Sequence, residues 1–530
     1  MRIDRFFSLI RDYPEKLFRL LFFIGTALLI FLSLCNILGG VLYDTDHFGD
    51  TLFILGTGWR THEGLRPVLD FGDFYGGAVA EGLAMTMRLF GTDVFTLERF
   101  ALLSLACLVL VAAIILNRRI SMNGFMALVL TLAVLMLSRY PLELNEPIIR
   151  IVSTHSFFYN RFGLALLLVS GLFVALRAPT ERHDLLPGVL LGFLVVVAAL
   201  TKPTFIVLML GVLIGLTLQQ RWQALAAVVV GIAVSVTLLD PTLQKWTGSL
   251  AYIQAQIGDQ ENADIGALLR KAVQIPLYQP VATIFALALV GVLIVAKTQI
   301  RSLMALLTVA GVGIGMATTM GGNGSIGQLA LPVAILTALA AGEIAAGAKL
   351  RNAQFLQMVA YALVISLALP HMLNQAGATV EGLARSNQTL ISQGPYARYL
   401  SIPEKTELQS AHAVPPQYEM FADGIATLHG LGNPSRWGII ADNGITFEYA
   451  VLGRPVPGYP LWQRATAPEL AADKPIAPEA DIVMIGRSDP PSDIGAILMT
   501  KLGADFSLCM TSVYWYVYAR ISSGIQCQEN

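Results

Sequence analysis

The chain is constrained most by a series of long apolar stretches that are separated by short polar turns. A bilayer core about 30 Å thick needs about 20 apolar residues per helical crossing, and fewer where the helix tilts or the bilayer thins. By this measure the sequence predicts eleven spans, near residues 17–42, 99–116, 123–138, 157–176, 185–200, 203–218, 224–239, 281–296, 303–320, 326–345 and 354–370. The predicted fold class is an α-helical polytopic membrane protein.

Composition supports this class. Hydrophobic residues make up 55% of the 530 residues and charged residues 13%, whereas soluble proteins carry about 25% charged residues. The formal net charge is −1, and a polyanion partner would need a concentrated basic surface. The sequence therefore indicates membrane lipids, and no nucleic acid, as the chain's surroundings.

Two stretches are ambiguous in length or polarity. The apolar block 185–218 would be far longer than the bilayer core at about 1.5 Å per residue, so we divide it at Lys202. The stretch 74–90 carries Glu81 and Arg88 among its apolar residues, and we predict that it lies at the membrane interface. With these choices the basic turns fall on the side of the amino terminus, as the positive-inside rule requires.

An odd number of spans places the two ends of the chain on opposite sides. We predict a multi-pass protein of a bacterial inner membrane with a cytoplasmic amino terminus, a transmembrane domain at 1–370 that contains the first outer loop (43–98), and a periplasmic domain at 371–530. The tail segments "RWGIIADN", "ADIVMIGRS" and "SVYWYVYARI" predict strands, with helices near 415–428 and 492–502. The tail is therefore predicted to be a soluble α/β domain.

Three further features concern the first apolar stretch, the start of the tail and its cysteines. The first apolar stretch is too long for a signal-peptide core and is predicted to be a retained anchor. The segment 376–416 is predicted to be a linker with some helix. Cys509 and Cys527 lie in the polar tail, where an oxidising compartment would let them form a disulfide.

Acidic and aromatic residues are interleaved in the first outer loop, directly after the first span. Such aromatic residues are typical of loops that pack at the headgroup level. A carboxylate near low-dielectric surroundings has a raised pKa and can accept a proton from a sugar hydroxyl. We predict that Asp46 or Asp50 is this general base, with Asp44 as a further catalytic candidate.

Basic and amide side chains are predicted on the same side of the membrane. The candidates for binding the phosphate of a lipid-phosphate leaving group are Arg139, Arg150, Asn160, Arg161 and Lys202. Guanidinium geometry matches phosphate well, and an ammonium group is a good point charge for it. The alternative for Arg161 and Lys202 is that they are snorkelling residues at the ends of spans.

Other polar residues of the two outer loops are candidates for acceptor or substrate binding. They are His62, Glu63, Asp70, Asp73, Glu146, His155 and Tyr159. No zinc pattern and no phosphate-binding glycine loop is found among them, so no metal ligand is assigned and no cofactor is required. A divalent cation, Mg or Mn, remains an alternative, because "DTD" at 44–46 together with Glu146 could supply carboxylate oxygens.

Several short motifs between residues 17 and 220 resemble those of the C-type (GT-C) integral-membrane glycosyltransferase superfamily, which includes aminoarabinose, mannosyl and arabinofuranosyl transferases. They are an Asp after the first span (Asp46 or Asp50), Gly64, "RPVLDF" (Arg66–Phe71), "LFG" (Leu89–Gly91), Arg99, "YNRFG" (Tyr159–Gly163) and "LTKPTF" (Leu200–Phe205). The resemblance implies a polyprenyl-phosphate-linked sugar donor, a base in the first outer loop, and catalysis at the outer face. The clean acidic pair of that family is absent from its usual place.

The expected function is therefore an inverting transfer of a sugar from a polyprenyl-phosphate-linked donor to a glycan, lipid or protein acceptor. Three alternatives remain open, one of which is a noncatalytic scaffold whose outer domain binds a partner. A polysaccharide ligase or polymerase would depend on Arg and His and not on a first-loop Asp. A transporter or flippase for lipid-linked glycans would carry charges and broken helices within its spans, and the spans here are almost uncharged.

Overall fold

A computed structural model of the chain describes residues 14–44, 48–71, 77–140, 153–155, 158–178, 180–202, 205–247, 280–296, 299–319, 323–350, 352–401, 417–442, 447–457, 476–488 and 492–527. Contacts divide the chain into two compact units. Unit 1 comprises residues 1–34, 101–151 and 157–377, and unit 2 comprises 35–100, 152–156 and 378–530. Unit 2 thus combines the first outer loop with the tail, although the two are separated by most of the sequence.

The described residues form mainly helices. In chain order these are α1 (Pro14–Gly39), α2 (Phe48–His62), α3 (Ala78–Phe90), α4 (Thr96–Ile115), α5 (Met122–Leu137), α6 (Phe158–Ala175), α7 (Leu185–Thr201), α8 (Ile206–Leu218), α9 (Trp222–Leu239), α10 (Pro280–Val295), α11 (Ile300–Thr319), α12 (Asn323–Gly347), α13 (Ala353–Ala384), α14 (Gln417–Gly430), α15 (Phe447–Ala450) and α16 (Asp493–Lys501). The strands are β1 (Leu42–Asp44), β2 (Tyr399–Ser401), β3 (Ile439–Ala441), β4 (Ile482–Gly486), β5 (Phe506–Thr511) and β6 (Trp515–Arg520).

Six of these helices are long and apolar enough to cross a membrane. They span Glu15–Gly39, Thr96–Ile115, Phe158–Ala175, Trp222–Leu239, Ala330–Gly347 and Ala353–Ala384. Shorter apolar helices lie at Met122–Leu137, Leu185–Thr201, Ile206–Leu218, Thr283–Val295 and Ile300–Gly311. Every predicted span falls on one of these helices, so the polytopic character is supported, whereas crossing by the shorter helices stays a prediction.

Helix α13 is longer than the sequence predicted. The last span was expected to end at Pro370, yet the helix continues through Pro370 to Ala384. A proline removes one backbone donor and kinks a helix without always ending it. The first part of the predicted linker at 376–416 is therefore helical.

In unit 1, glycines let the backbones of α7 and α9 approach each other closely. A methyl group added at Gly192 would lie 2.3 Å from the carbonyl oxygen of Val228, and one at Gly231 would lie 2.2 Å from that of Val189. Small residues four apart, here Gly188 and Gly192, let membrane helices approach closely. These glycines therefore set the spacing of the two helices.

A buried charge network ties the loops of unit 1 together. The Asp184 carboxylate accepts hydrogen bonds from the guanidinium groups of Arg119 and Arg221. Both guanidinium carbons lie over the ring of Phe173, at 4.5 and 4.6 Å from its centroid. Arg119 and Arg221 are thus structural residues of unit 1.

Unit 2 contains a four-stranded sheet in the order β3-β4-β6-β5. The pair β3 and β4 is parallel, whereas β6 is antiparallel to both β4 and β5. The three predicted strands correspond to β3, β4 and β6, and the two predicted helices to α14 and α16. The sequence missed β5, whose polar and apolar residues gave a weak strand signal.

Aromatic side chains connect this sheet to the residues next to the first loop. Ring centroids of successive pairs are 5.2 Å apart for Trp515 and Phe447, 5.3 Å for Phe447 and Phe421, 5.2 Å for Phe421 and Tyr396, and 5.8 Å for Tyr396 and Tyr399. All five are buried. The rings therefore form one continuous core within unit 2.

The predicted disulfide is confirmed between Cys509 and Cys527. It closes a segment of 18 residues and attaches the end of the chain to β5. The interfacial location predicted for 74–90 stays a prediction. Its described part forms α3, whose apolar face packs on α2, with Leu83 against Gly58.

The glycine contact between α7 and α9 predicts a difference between two glycine substitutions. We expect Gly192→Ala to lower the free energy of unfolding by roughly 1–3 kcal/mol, because the new methyl group would overlap a backbone carbonyl. Gly291→Ala is the matched control, since nothing lies within 4 Å of its added methyl group and alanine favours a helix by about 1 kcal/mol. Thermal unfolding in detergent measures both, and equal midpoints would contradict the packing described.

Asp442 at the end of β3 predicts a pH-dependent stability. Its Oδ2 accepts hydrogen bonds from the Gly486 amide and the Ser492 hydroxyl, both at 3.0 Å, and burial raises its pKa from 3.8 to about 6. The unfolded chain therefore loses this proton at lower pH than the folded chain. The free energy of unfolding should decrease as pH rises from about 4 to about 6, by up to about 3 kcal/mol.

Asp442→Asn should remove this dependence, whereas Asp505→Asn should keep it, because the Asp505 side chain is 80% exposed. Thermal unfolding of the purified protein between pH 4 and pH 7 provides the measurement. An unchanged pH dependence in Asp442→Asn would show that this carboxyl group titrates normally.

Candidate active site

A short parallel strand pair places Asp44 in the interior of unit 2. Strand β1 pairs with β2 in the register Leu42 with Tyr399 and Asp44 with Ser401. Asp44 is fully buried. Its Oδ2 accepts hydrogen bonds from the Thr51 hydroxyl at 2.9 Å and from the Tyr399 hydroxyl at 3.1 Å. One carboxylate oxygen is therefore held by two neutral donors from α2 and β2.

His155 lies between two buried carboxylates in the same unit. Its Nδ1 is 3.5 Å from Asp44 Oδ2, and its Nε2 is 3.5 Å from Glu98 Oε1. The side chains of Asp44, Glu98 and His155 are 0, 3 and 8% exposed. Together with Thr51 and Tyr399 they form what we call the Asp44 cluster.

The second carboxylate oxygen of Asp44 differs from the first. Oδ1 is buried and accepts no hydrogen bond from the described residues. A buried carboxylate oxygen without a donor is costly, since desolvation is not compensated. It would gain a hydrogen bond from any hydroxyl group that approached it, so Oδ1 is the atom suited to accept a proton.

Tyr399 acts in this cluster as a neutral donor. Burial, and next the charge of Asp44, raise the pKa of Tyr399 well above its usual value. Its ring makes edge contacts with the rings of Tyr396 and Tyr418, the latter at 6.0 Å between centroids. The Tyr418 hydroxyl donates to the Tyr399 carbonyl oxygen at 2.5 Å. The donor to Asp44 is thus fixed from both its backbone and its ring.

The cluster geometry does not suit a single metal ion. The two carboxylates lie at opposite nitrogens of His155, so the three groups do not converge on one point. Among the residues that the structure describes, no group of three or more metal-ligating side chains is found. The cation site considered from the sequence includes Asp46 and Glu146, which lie outside the described residues.

The basic residues predicted to bind phosphate lie in unit 1, and several of them are close together. Lys202 Nζ is 3.3 Å from Asn160 Oδ1 and 5.2 Å from the centroid of the Tyr159 ring. Asn160 and Arg161 lie buried in the first turn of α6, where backbone amides also favour anions. Lys202 is the residue that ends α7.

Arg161 and Arg139 extend this group. Arg161 Nη2 donates to the Tyr140 carbonyl oxygen at 2.9 Å, and the Arg139 amide donates to Gln375 Oε1 at 3.0 Å. Both arginines are buried. We call Arg139, Asn160, Arg161 and Lys202 the basic cluster.

His371 on α13 was not singled out by the sequence but lies beside these residues. Its Nδ1 is 3.2 Å from the Ser138 hydroxyl, and its ring lies edge-on to Tyr140 at 5.3 Å. His371 lies within an apolar helix, where a titratable residue is unusual and indicates function. That signal was present in the sequence.

Other candidate residues are not among the members defined for the Asp44 cluster. Asp50 is half-buried in the first turn of α2. Asp70 forms a two-point ion pair with Arg66, four residues earlier, which lowers the pKa of Asp70. His62 stacks on Trp59 and lies 3.8 Å from Glu63. Four predicted residues lie outside the described residues: Asp46, Asp73, Glu146 and Arg150.

Three members of the Asp44 cluster were missed by the sequence reasoning. Glu98 lies in the first turn of α4, which is largely apolar beyond Arg99, and a buried acid at such a position is a signal of function that could have been used. Thr51 and Tyr399 carry no local signal. Tyr399 becomes part of the site only through strand pairing over more than 350 residues.

A scan against models of protein families finds no match to the chain. Searches among curated proteins and among solved structures also find no match. The resemblance to C-type glycosyltransferases therefore stays a prediction from short motifs, and function is inferred from the residues and their geometry.

Proposed function

We propose that the protein is a membrane glycosyltransferase that moves a sugar from a polyprenyl-phosphate-linked donor to a hydroxyl of a glycan, lipid or protein acceptor. The observation that carries this proposal is the Asp44 carboxylate. One of its oxygens is held by Thr51 and Tyr399, and the other is buried without a donor among the described residues. Such a carboxylate is preorganised to accept a proton from a hydroxyl group.

Among the described first-loop acids, the geometry favours Asp44 over Asp50 as the base. Asp44 is fully buried, whereas Asp50 is half-buried at the start of α2. A carboxylate held in a fixed rotamer reduces the reorganisation required during proton transfer. Asp70 is less suitable, because its pairing with Arg66 lowers its proton affinity.

The proposed reaction is a single displacement. The O–H bond of the acceptor breaks, and its proton goes to Asp44 Oδ1. The oxygen lone pair forms a bond with the anomeric carbon of the sugar. The bond from that carbon to the phosphate oxygen breaks, and its electron pair leaves with the lipid phosphate. Inversion at the anomeric carbon follows from this geometry of attack. Holding the acceptor and the donor together lowers the activation free energy by several kcal/mol.

The basic cluster of unit 1, taken by itself, has the chemistry to bind a lipid phosphate. The departing lipid phosphate gains negative charge, which a lysine and a guanidinium group stabilise well. The contacts of Lys202 within the described residues are with neutral groups, an amide oxygen and a tyrosine ring. A phosphate would therefore find an ammonium group that is not neutralised by these contacts. We assign phosphate binding to Lys202, Asn160, Arg161 and Arg139.

Two observations support catalysis at the outer face. The tail contributes Tyr399 to the Asp44 cluster, and the same tail carries the Cys509–Cys527 disulfide. Disulfides persist in oxidising compartments such as the periplasm. We therefore propose that the tail faces the periplasm and takes part in recognising the acceptor.

A polysaccharide ligase is the second candidate, because His371 and Arg161 lie together in unit 1. Each contacts Tyr140, His371 through its ring and Arg161 through the carbonyl oxygen. In that reaction the first-loop carboxylate would not be required. The effect of replacing Asp44 therefore separates the two candidates.

The test is turnover of a panel of polyprenyl-phosphate sugars by the full-length protein in nanodiscs, measured as release of polyprenyl phosphate. We expect Asp44→Asn to lower turnover by about 10²–10⁴-fold, the usual contribution of a general base, with donor binding retained. Asp505→Asn, at an exposed position, is the control for loss of one carboxylate. Asp50→Asn separates the two candidate bases.

Two results would contradict the proposal. The transferase assignment fails if the wild-type protein releases polyprenyl phosphate from none of the donors. The assignment of Asp44 fails if Asp44→Asn retains full turnover. Loss of activity in His371→Ala with full activity in Asp44→Asn would favour the ligase.

A further inference from the structure

We propose that Gln375 of α13 is a further phosphate-binding residue of unit 1, and that its amide nitrogen donates a hydrogen bond to the phosphate group of the lipid-linked donor. This inference rests on the proposed function, because it adds one residue to the phosphate site assigned to the basic cluster. It is carried by a fully buried side chain whose Nε2 donates to none of the described residues.

The partner of the Gln375 side chain fixes the orientation of its amide group. The backbone amide of Arg139 donates to Gln375 Oε1 at 3.0 Å. A backbone N–H can only donate, so the side-chain atom that faces it must be the oxygen. Nε2 is therefore the other terminal atom, a donor whose direction is set by the Arg139 backbone.

A second buried glutamine of unit 1 shows how such a group is normally satisfied. Gln219 donates from its Nε2 to the carbonyl oxygens of Val174 at 2.6 Å and Ala175 at 3.2 Å. A buried donor without an acceptor destabilises a protein by the cost of its desolvation. This cost is avoided at Gln219 and remains at Gln375 until a ligand supplies an acceptor.

Contacts of consecutive residues link Gln375 to the basic cluster. Arg139 contacts Gln375 through its backbone amide, and the carbonyl oxygen of the next residue, Tyr140, accepts from Arg161 Nη2 at 2.9 Å. The ring of Tyr140 lies edge-on to His371, which is one turn before Gln375 on α13, at 5.3 Å between centroids. Gln375 thus belongs to the same group of packed residues as two arginines of the basic cluster.

A phosphate group suits this donor. A glutamine amide offers two N–H bonds from Nε2, and phosphate oxygens are strong acceptors. Lys202 and Arg161 would attract the anion by their charge, whereas Gln375 is neutral and would add a directed hydrogen bond. Free phosphate and a lipid phosphate share this chemistry, so the experiment must distinguish these two sources.

Two substitutions at Gln375 test the contact. Gln375→Glu keeps an oxygen for the Arg139 amide but replaces the donor by a second oxygen, which repels phosphate. Gln375→Met removes the donor without adding charge, and it supplies the same test should Gln375→Glu not fold. We expect each variant to bind farnesyl phosphate about 10- to 100-fold more weakly than the wild type, the usual effect of losing a hydrogen bond to a charged group. Binding of farnesol, which lacks the phosphate, should not change.

The measurement is equilibrium binding of farnesyl phosphate, farnesol and inorganic phosphate to the full-length protein in nanodiscs, corrected for binding to empty nanodiscs. The control is Gln354→Glu, which makes the same change at an exposed position in the first turn of α13, and we expect it to bind all three probes as the wild type does. Farnesyl phosphate should bind more tightly than inorganic phosphate, which identifies a lipid as the source of the phosphate. Equal affinity for these two probes would overturn the lipid source.

The outcomes separate this inference from the proposed function. If both Gln375 variants keep the wild-type preference for farnesyl phosphate over farnesol, the inference is wrong, and the phosphate assignment of the basic cluster stands. An equal loss of affinity for both probes would show a structural role and would also overturn the inference. If the wild type itself does not prefer the phosphate, the assignment of the basic cluster fails together with the inference, and the turnover assay still tests the transferase.

Discussion

The pairing of Leu42–Asp44 with Tyr399–Ser401 is the interaction on which the candidate site depends. Asp44 leaves water when β1 pairs with β2, and a buried carboxylate is tolerated only where donors or opposite charges compensate it. The hydroxyl groups of Thr51 and Tyr399 provide that compensation by donating hydrogen bonds to one oxygen. The pairing of β1 with β2 therefore buries the Asp44 carboxylate and also brings in Tyr399, one of the donors that compensate this burial. The other carboxylate oxygen of Asp44 remains without a donor among the described residues.

The aromatic core of unit 2 makes this pairing specific. A strand pair of three residues is too short to be stable by itself. The ring of Tyr399, however, packs against Tyr396, and Tyr396 packs against Phe421, which belongs to the aromatic core that reaches the sheet. Packing thus holds Tyr399 independently of its hydrogen bond to Asp44. Loss of the tail would therefore also remove Tyr399, the donor to Asp44 of β1. Contacts of this kind join these distant parts of the chain into one unit.

Apolar length and turn residues were sufficient to predict the eleven apolar helices of the spans, two helices of the tail and three of the strands. Each predicted span has a helix, because a run of about 20 apolar residues leaves few other structures in a membrane. The site was less predictable. The first loop was identified by its acids, yet the sequence preferred Asp46 and Asp50, since nothing local marks Asp44 as the buried one. Tyr399 comes from a segment that looked like a linker, and only long-range pairing reveals it.

The role proposed for Asp44 is to activate an acceptor hydroxyl for direct displacement of a lipid phosphate. The most direct measurement is the configuration of the transferred sugar at its anomeric carbon, determined by NMR on the first product formed from a donor of known configuration. A single displacement predicts complete inversion. Retention would require a covalent glycosyl-enzyme intermediate, and it would contradict the role of Asp44 as a base.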